Sequence, residues 1–378
     1  MRAVSGCKPV ALFCESTPAG FNLLINRYLN REILTPLVTI CTILVIIFAG
    51  YLITRYLPDA ADGLMTVKTV LALVLLKILV ALEVLIPVTL FMAVVTVLGR
   101  LHTESEVIAM QACGLGERTI LSSVLRLSLL VALLVATLSL YVRPWAYEKS
   151  YWLKADAEAN FDFSRLRPGR FHEIGQSKYV VYLENLDLEQ KRAEGVFIQQ
   201  RDDSIRKVTH ADEAWQEIDP MTAERSIVLR NGYYYEIDED GSKTKLFRFQ
   251  DFHLPLIPKQ MDSIGYRRKA ASTLSLFGSS AAEDQAELQW RISTGISTIL
   301  LSLLGIPLSR AAPRRGKSAK LFVAVIIFAV YYNLTTIAKT WMEQGVVGYF
   351  PGVWWPHAML AIFLIVLLKR SNAEWLMK

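Results

Sequence analysis

Two apolar runs, 69–98 and 120–142, are joined only by Leu98-Gly-Arg-Leu-His-Thr-Glu-Ser-Glu-Val-Ile-Ala-Met-Gln-Ala-Cys-Gly-Leu-Gly-Glu117. Each run is long enough to cross about 30 Å of hydrocarbon as a helix rising about 1.5 Å per residue. Inside lipid a single segment must satisfy its own backbone hydrogen bonds, so helices are the form open to these runs. The polar stretch between them is too short to be a domain and reads as a small helix. Thr103-Glu-Ser-Glu106 fits a capping box, with Thr103 on free backbone N–H groups and Glu106 reaching back. Gly114 stands where a left-handed residue would end the helix. Glu106, Met110 and Cys113 then share one face. A short helix held between two spans is placed to be gripped from the aqueous side. Two readings of its acids stand side by side: Glu106 only caps the helix, or Glu104 and Glu106 meet basic residues of a soluble partner.

The chain has 378 residues, 53% hydrophobic and 20% charged. Soluble domains average about 25% charged residues, so the balance points to membrane spans with a sizeable polar block. The formal charge of +6 does not call for nucleic acid, because Lys and Arg collect beside membrane spans. The four cysteines are Cys7, Cys14, Cys41 and Cys113; none lies in the polar block 143–287, and their spacing fits no zinc pattern. Residues 1–22 read as a disordered extension or as sequence ahead of the true start, since Val10-Ala-Leu-Phe13 is too short for a signal core.

Six spans are expected, at about 33–54, 67–98, 120–142, 288–309, 320–341 and 353–369. Arg55 ends the first. The second carries Lys77, Glu83 and Pro87. Pro87 predicts a kink. Lys77 reads as snorkelling to an interface, whereas Glu83 is deep enough to require a protein interior or a water-filled cavity. The fourth is rich in small polar residues, Ser293, Thr294, Gly295, Ser297, Thr298 and Ser302, which read first as helix packing and second as a polar path. The loop 310–320 has five basic residues and no acid, while 342–355 has only Glu343. This asymmetry puts 310–320, both termini and the capped helix in the cytoplasm, and the block 143–287 outside.

That block changes character. After a helical lead-in (147–160), β-type segments follow at 178–183, 195–199, 204–209, 225–229, 233–237 and 245–249. Turn signals separate them at Asp202-Asp203, Asp219-Pro220, Asn231-Gly232 and Asp240-Gly241. Asn231-Gly232 predicts a hairpin. The pattern suggests a sandwich or jelly roll, with Tyr182, Phe197 and Ile227 taken as inward positions. The expected division is an extension (1–22), spans one to three with the coupling helix at about 103–114 (23–142), a β-jelly-roll domain with a return linker (143–287), and spans four to six with a tail (288–378).

No catalytic constellation appears. Arg315-Gly-Lys-Ser318 lacks the upstream glycine and strand of a phosphate loop, and there is no nucleophile elbow or His-Glu-x-x-His helix.

The stretch Leu98–Gly114 resembles the cytoplasmic coupling helix of the lipopolysaccharide export permeases, the LptF/LptG family. Arg27-Tyr-Leu-Asn-Arg-Glu32 is similar to that family's opening, and Ala286-Glu-Leu-Gln-Trp-Arg291 to the entry of its fourth span. The match runs over about 23–370 in the right order, and Met110-Gln-Ala-Cys-Gly114 is nearer to the LptF members. The resemblance implies an α+β membrane protein with three plus three spans and an inserted periplasmic β-jelly roll. It implies a non-enzymatic permease subunit in the bacterial inner membrane. Its expected partners are an LptG-type subunit, a cytoplasmic LptB-type ATPase dimer that binds the ATP, an LptC/LptA-type bridge and lipopolysaccharide. No cofactor is expected in this chain. Glu104, Glu106, Met110, Cys113 and Gly114 would couple to the ATPase. Arg55 matches one of two cations that the family sets toward lipid A phosphates; Leu52 stands where the other is often a Lys. Glu83 and Arg291 complete the expected lipid-binding set. The rivals are a mechanical ABC permease with another cargo and a membrane scaffold for envelope assembly.

Overall fold

A computed structural model describes residues 19–112, 117–159, 166–174, 179–187, 192–202, 205–218, 225–238, 244–256, 267–310 and 317–376. Its helices are α1 (Ala19–Ala61), α2 (Val67–Thr103), α3 (Glu106–Ala112), α4 (Glu117–Thr137), α5 (Arg143–Ala159), α6 (Thr273–Phe277), α7 (Ala282–Ser309), α8 (Lys317–Glu343) and α9 (Trp355–Leu376). A π-helical turn, Leu138–Val142, joins α4 to α5. Five stretches of the described residues are long and apolar enough to cross a membrane: Ile25–Ala61, Val67–Thr103, Arg118–Ala157, Ala282–Ser309 and Lys320–Glu343. The last expected span falls in α9. α2 continues as helix through Pro87.

The chain divides into two compact units, which differ from the expected division. One holds Met1–Ile47, Leu79–Trp145 and Arg268–Lys378; the other holds Phe48–Ile78 and Ala146–Arg267. In the first, α7 is central. Leu90, Val94 and Leu98 of α2 pack with Leu29 and Ile33 of α1, Val124 of α4 and Ile306 of α7. Phe91 and Val95 pack with Leu301 and Leu304 of α7, Tyr331 of α8 and Leu360 of α9. Gly305 permits the close approach of α7 to α2, since a Cβ there would stand 2.8 Å from Val94.

The second unit contains one antiparallel sheet of β1 (Phe171–Ile174), β2 (Tyr179–Asp187), β3 (Arg192–Asp202), β4 (Ile205–Ile218), β5 (Arg225–Asp238) and β6 (Thr244–Leu256), in sequence order. The expected jelly roll calls for strands that cross between two sheets; among the described residues the strands simply follow one another. A crease wraps them round a core. Leu183, Val196, Ala211, Gly232 and Phe249 form one paired row, and Asn185, Glu194, Glu213, Arg230 and Asp251 another. The row between them, Glu184, Gly195, Asp212, Asn231 and Gln250, is in register but unpaired in every ladder. Gly195 (φ +61°) and Asn231 (φ +52°) are left-handed there.

Strand side chains normally alternate with a period of two. At the crease the core positions step by three instead: Leu183 to Leu186, Ala193 to Val196, Ala211 to Ala214, and Phe249 to Phe252. Both halves of the sheet therefore turn their apolar side into the same core. Asn231-Gly232, expected to reverse the chain, lies inside β5. A type I′ hairpin needs two left-handed residues; only Asn231 is one, and Gly232 stays paired to Ala211 and Phe249. The segments expected at 225–229 and 233–237 are thus one strand, and β1 is the strand the pattern missed.

Ile227 is in the core as expected. Tyr182 and Phe197 are not. They belong to an outward row, Phe171, Tyr182, Phe197, His210, Tyr233 and Arg248, running across all six strands. The Phe171 and Tyr182 rings stand 4.8 Å apart on it. The aliphatic neighbours Val181 and Ile198 take the core side instead.

Candidate functional site

The expected coupling segment is short and braced. Thr103 does not cap α3. It is the last residue of α2, and its hydroxyl donates to the Gly99 carbonyl at 2.8 Å. The break is made by Ser105, with φ +61°. Glu106 accordingly does not reach back to a cap; its Oε2 accepts the Tyr28 hydroxyl of α1 at 3.0 Å. Arg100 pairs with Glu32 of α1 and, at 3.6 Å, with Glu104. Val107 is buried and Met110 partly buried against the core of α1, α2 and α4. Ile108, by contrast, is 63% exposed. The helix is thus wedged by one face and offers Ile108 on the other, with Glu104 exposed in the turn just before it. Cys113 and Gly114 lie outside the described residues.

A second site is buried among the spans. Glu83 is 1% exposed. Its Oε2 accepts from Arg143 Nη1 at 2.7 Å, and its Oε1 from Ser139 and from Trp290 Nε1, both at 3.0 Å. Glu287 stands 3.2 Å from Arg143 Nε and 3.2 Å from Arg291 Nε, and its Oε2 accepts from Lys339 Nζ. A charge at membrane depth survives when paired inside the protein, and here α2, α5, α7 and α8 supply the pairing.

Arg291 is 0% exposed and uses all five of its N–H groups. Nε goes to Glu287; Nη1 donates to the Ala271 carbonyl and Thr273 Oγ1; Nη2 donates to the Arg268 and Lys269 carbonyls. The cation expected to face lipid phosphates is therefore spent on the chain's own backbone. The fourth-span hydroxyls act likewise. Thr294, Thr298 and Ser302 donate to carbonyls of their own helix, and Ser297 meets Tyr331 Oη at 2.7 Å and His357 Nε2 at 3.1 Å. Serine and threonine in spans commonly back-bond in this way.

Arg55 is exposed on α1. Leu52, a turn earlier, packs with Tyr56, Val70 and Val74. Lys77 lies over the Tyr147 ring, 4.5 Å from its centroid. Of the expected residues, the structure links Glu83 with Arg291 through Arg143 and Glu287, and sets Glu104 and Glu106 together at α3.

Sequence reasoning did not single out Arg143, Glu287, Lys339, Tyr28 or Arg100. Glu287 carried a signal, as an acid four residues before Arg291 where helical neighbours pair. The others meet their main partners 50 or more positions away.

Residues 27–370 match the family described as lipopolysaccharide export system permease LptF/LptG. The lipopolysaccharide export system permease protein LptF of Escherichia coli (strain K12) is 25% identical over 358 residues, covering 92% of this chain and 94% of that protein. The LptF protein of Shigella flexneri is similar to the same extent, 25% identical over 92% of this chain and 94% of its own length. With the membrane-length helices and the inserted antiparallel sheet, this establishes that the chain belongs to the LptF/LptG family of lipopolysaccharide export permeases, proteins of the inner membrane.

Proposed function

We propose that this permease takes lipopolysaccharide out of the inner membrane and hands it to a periplasmic bridge of the LptC/LptA type. It works as one half of a pair with an LptG-type subunit, on an LptB-type ATPase dimer that binds and hydrolyses the ATP. This chain contributes six spans, with α9 the sixth, both termini in the cytoplasm, and a jelly-roll-like β domain in the periplasm. It holds no cofactor and performs no chemistry of its own.

The observation that carries this reading is the wedge at α3. Ile108 and Glu104 are offered outward, while Val107, Met110, Glu106 and Arg100 tie the helix to α1 and α2. ATPase closure that moves α3 then moves the start of α1 and the end of α2 with it, a rigid-body transfer between packed elements. Arg55 supplies the cation toward lipid A phosphates, and Glu83 and Arg291 act from inside the bundle, each held by partners within the protein.

The test is Glu106→Arg in the complete assembly. The ATPase is expected to be lost on co-purification and export to stop. A variant that still co-purifies and exports normally sinks the coupling role. A photocrosslinker at position 55 is expected to give ATP-dependent lipopolysaccharide adducts. Their absence from a folded, assembled complex favours a scaffold.

A further inference from the structure

The chain leaves the spans through Arg143-Pro-Trp145 and returns to them at Arg268, and both crossings converge on one side chain of α7. We propose that Glu287, acting through Arg143 and Arg291, is a positioning residue that locks the exit and the return of the β domain to the same helix. The inference rests on the export reading above and adds how span movement reaches the β domain.

Pro144 stands in the first turn of α5. A proline has no N–H, so the Leu140 carbonyl has no donor four residues on. The helix answers with the π turn at Leu138–Val142, where the Arg143 N–H bonds back to the Leu138 carbonyl. In a membrane span a carbonyl freed by proline is re-satisfied by neighbouring helices, by Ser or Thr side chains or by a local π adjustment. Thr273, on the returning chain, donates to the Leu140 carbonyl at 2.6 Å. The same π turn sets Ser139 and Arg143 both on Glu83 of α2.

The return is held as tightly. Arg291 gathers the carbonyls of Arg268, Lys269 and Ala271 and the hydroxyl of Thr273. A planar guanidinium can serve several fixed acceptors at once, which an ammonium cannot. Glu287 then joins the two: Arg143 and Arg291 both stand 3.2 Å from its Oε1. Lys339 of α8 pairs with its Oε2. The circuit Glu287, Arg143, Leu140, Thr273, Arg291 closes on itself. It leaves α7, the foot of α5 and the segment 268–273 no independent movement at that level. Displacement of α7 carries both tethers of the β domain together.

The experiment uses the full chain with its partner subunit and ATPase in proteoliposomes. It reads lipopolysaccharide released per ATP hydrolysed. That ratio does not fall merely because less protein is folded, since both quantities drop together. Glu287→Gln removes the charge that joins the two tethers. Arg291→Lys keeps a cation beside Glu287 but loses the carbonyl clamp. Both variants are expected to assemble, to hydrolyse ATP within about twofold of the parent, and to release about tenfold less lipid per ATP. An unchanged ratio in Arg291→Lys overturns the proposal, and so does failure of both variants to assemble, which would assign the cluster to packing alone. If the parent complex hydrolyses ATP but moves no lipopolysaccharide, the export reading fails first.

Discussion

Glu83 on α2 accepts Arg143 Nη1 at 2.7 Å, across sixty residues of chain, with both side chains inside the bundle. Removing one member of a buried pair costs about 3–5 kcal/mol, because the other is left charged and less compensated. Glu83→Leu is expected near the lower figure, since Arg143 retains Glu287. Glu83→Gln keeps an oxygen for Ser139 and Trp290 and should cost less. Thermal unfolding in detergent separates the two; identical melting would mean that the oxygen kept for Ser139 and Trp290 contributes nothing.

Ile108 stands on the exposed side of α3. Ile108→Asp should therefore leave the permease's own melting temperature unchanged while weakening ATPase association about tenfold, or about 1.4 kcal/mol. A binding titration checks this, and unaltered affinity would move the docking surface away from Ile108.

The crease depends on residues that tolerate left-handed backbone or close approach. A Cβ at Gly232 would collide with the His210 carbonyl and the Phe249 ring. Gly195 has φ +61°, with the Glu184 side chain against it. Gly195→Val is expected to cost at least about 1–2 kcal/mol through the left-handed backbone alone, and Gly232→Val more. Limited proteolysis of the β domain is the readout; full resistance in both variants would show that the crease can shift without loss.

Core and outward positions should respond differently to a charge. Ile227→Asp buries an uncompensated carboxylate and is expected to unfold the sheet. Phe197→Asp points to the outer face and should cost less than about 1 kcal/mol. Equal damage from both would mean that the aromatic outer row is covered in the assembly.

The sequence by itself determined the membrane-length helices, the inserted β block and the short polar stretch between two of the helices. These follow from hydrophobic runs, turn residues and local charge, and each acts within a few residues of its own position. It also marked Glu83 as a buried charge, because an acid amid apolar residues has few other places to go. Only the tertiary structure decided what that charge meets. Arg143, Glu287 and Lys339 come together because α5, α7 and α8 pack there, and no spacing in the chain encodes that meeting. The capping box at Thr103 gave way to α2 continuing and Ser105 turning, because the Gly99 carbonyl within the same helix was the nearer partner for Thr103. Asn231-Gly232 had the local chemistry of a hairpin, but pairing on both sides of β5 held the chain straight enough to make a crease instead. Arg291 looked like a lipid-facing cation until the returning chain and Glu287 filled its every donor. Local preference proposes a conformation; the partners brought in by packing decide which hydrogen bonds and charges are satisfied.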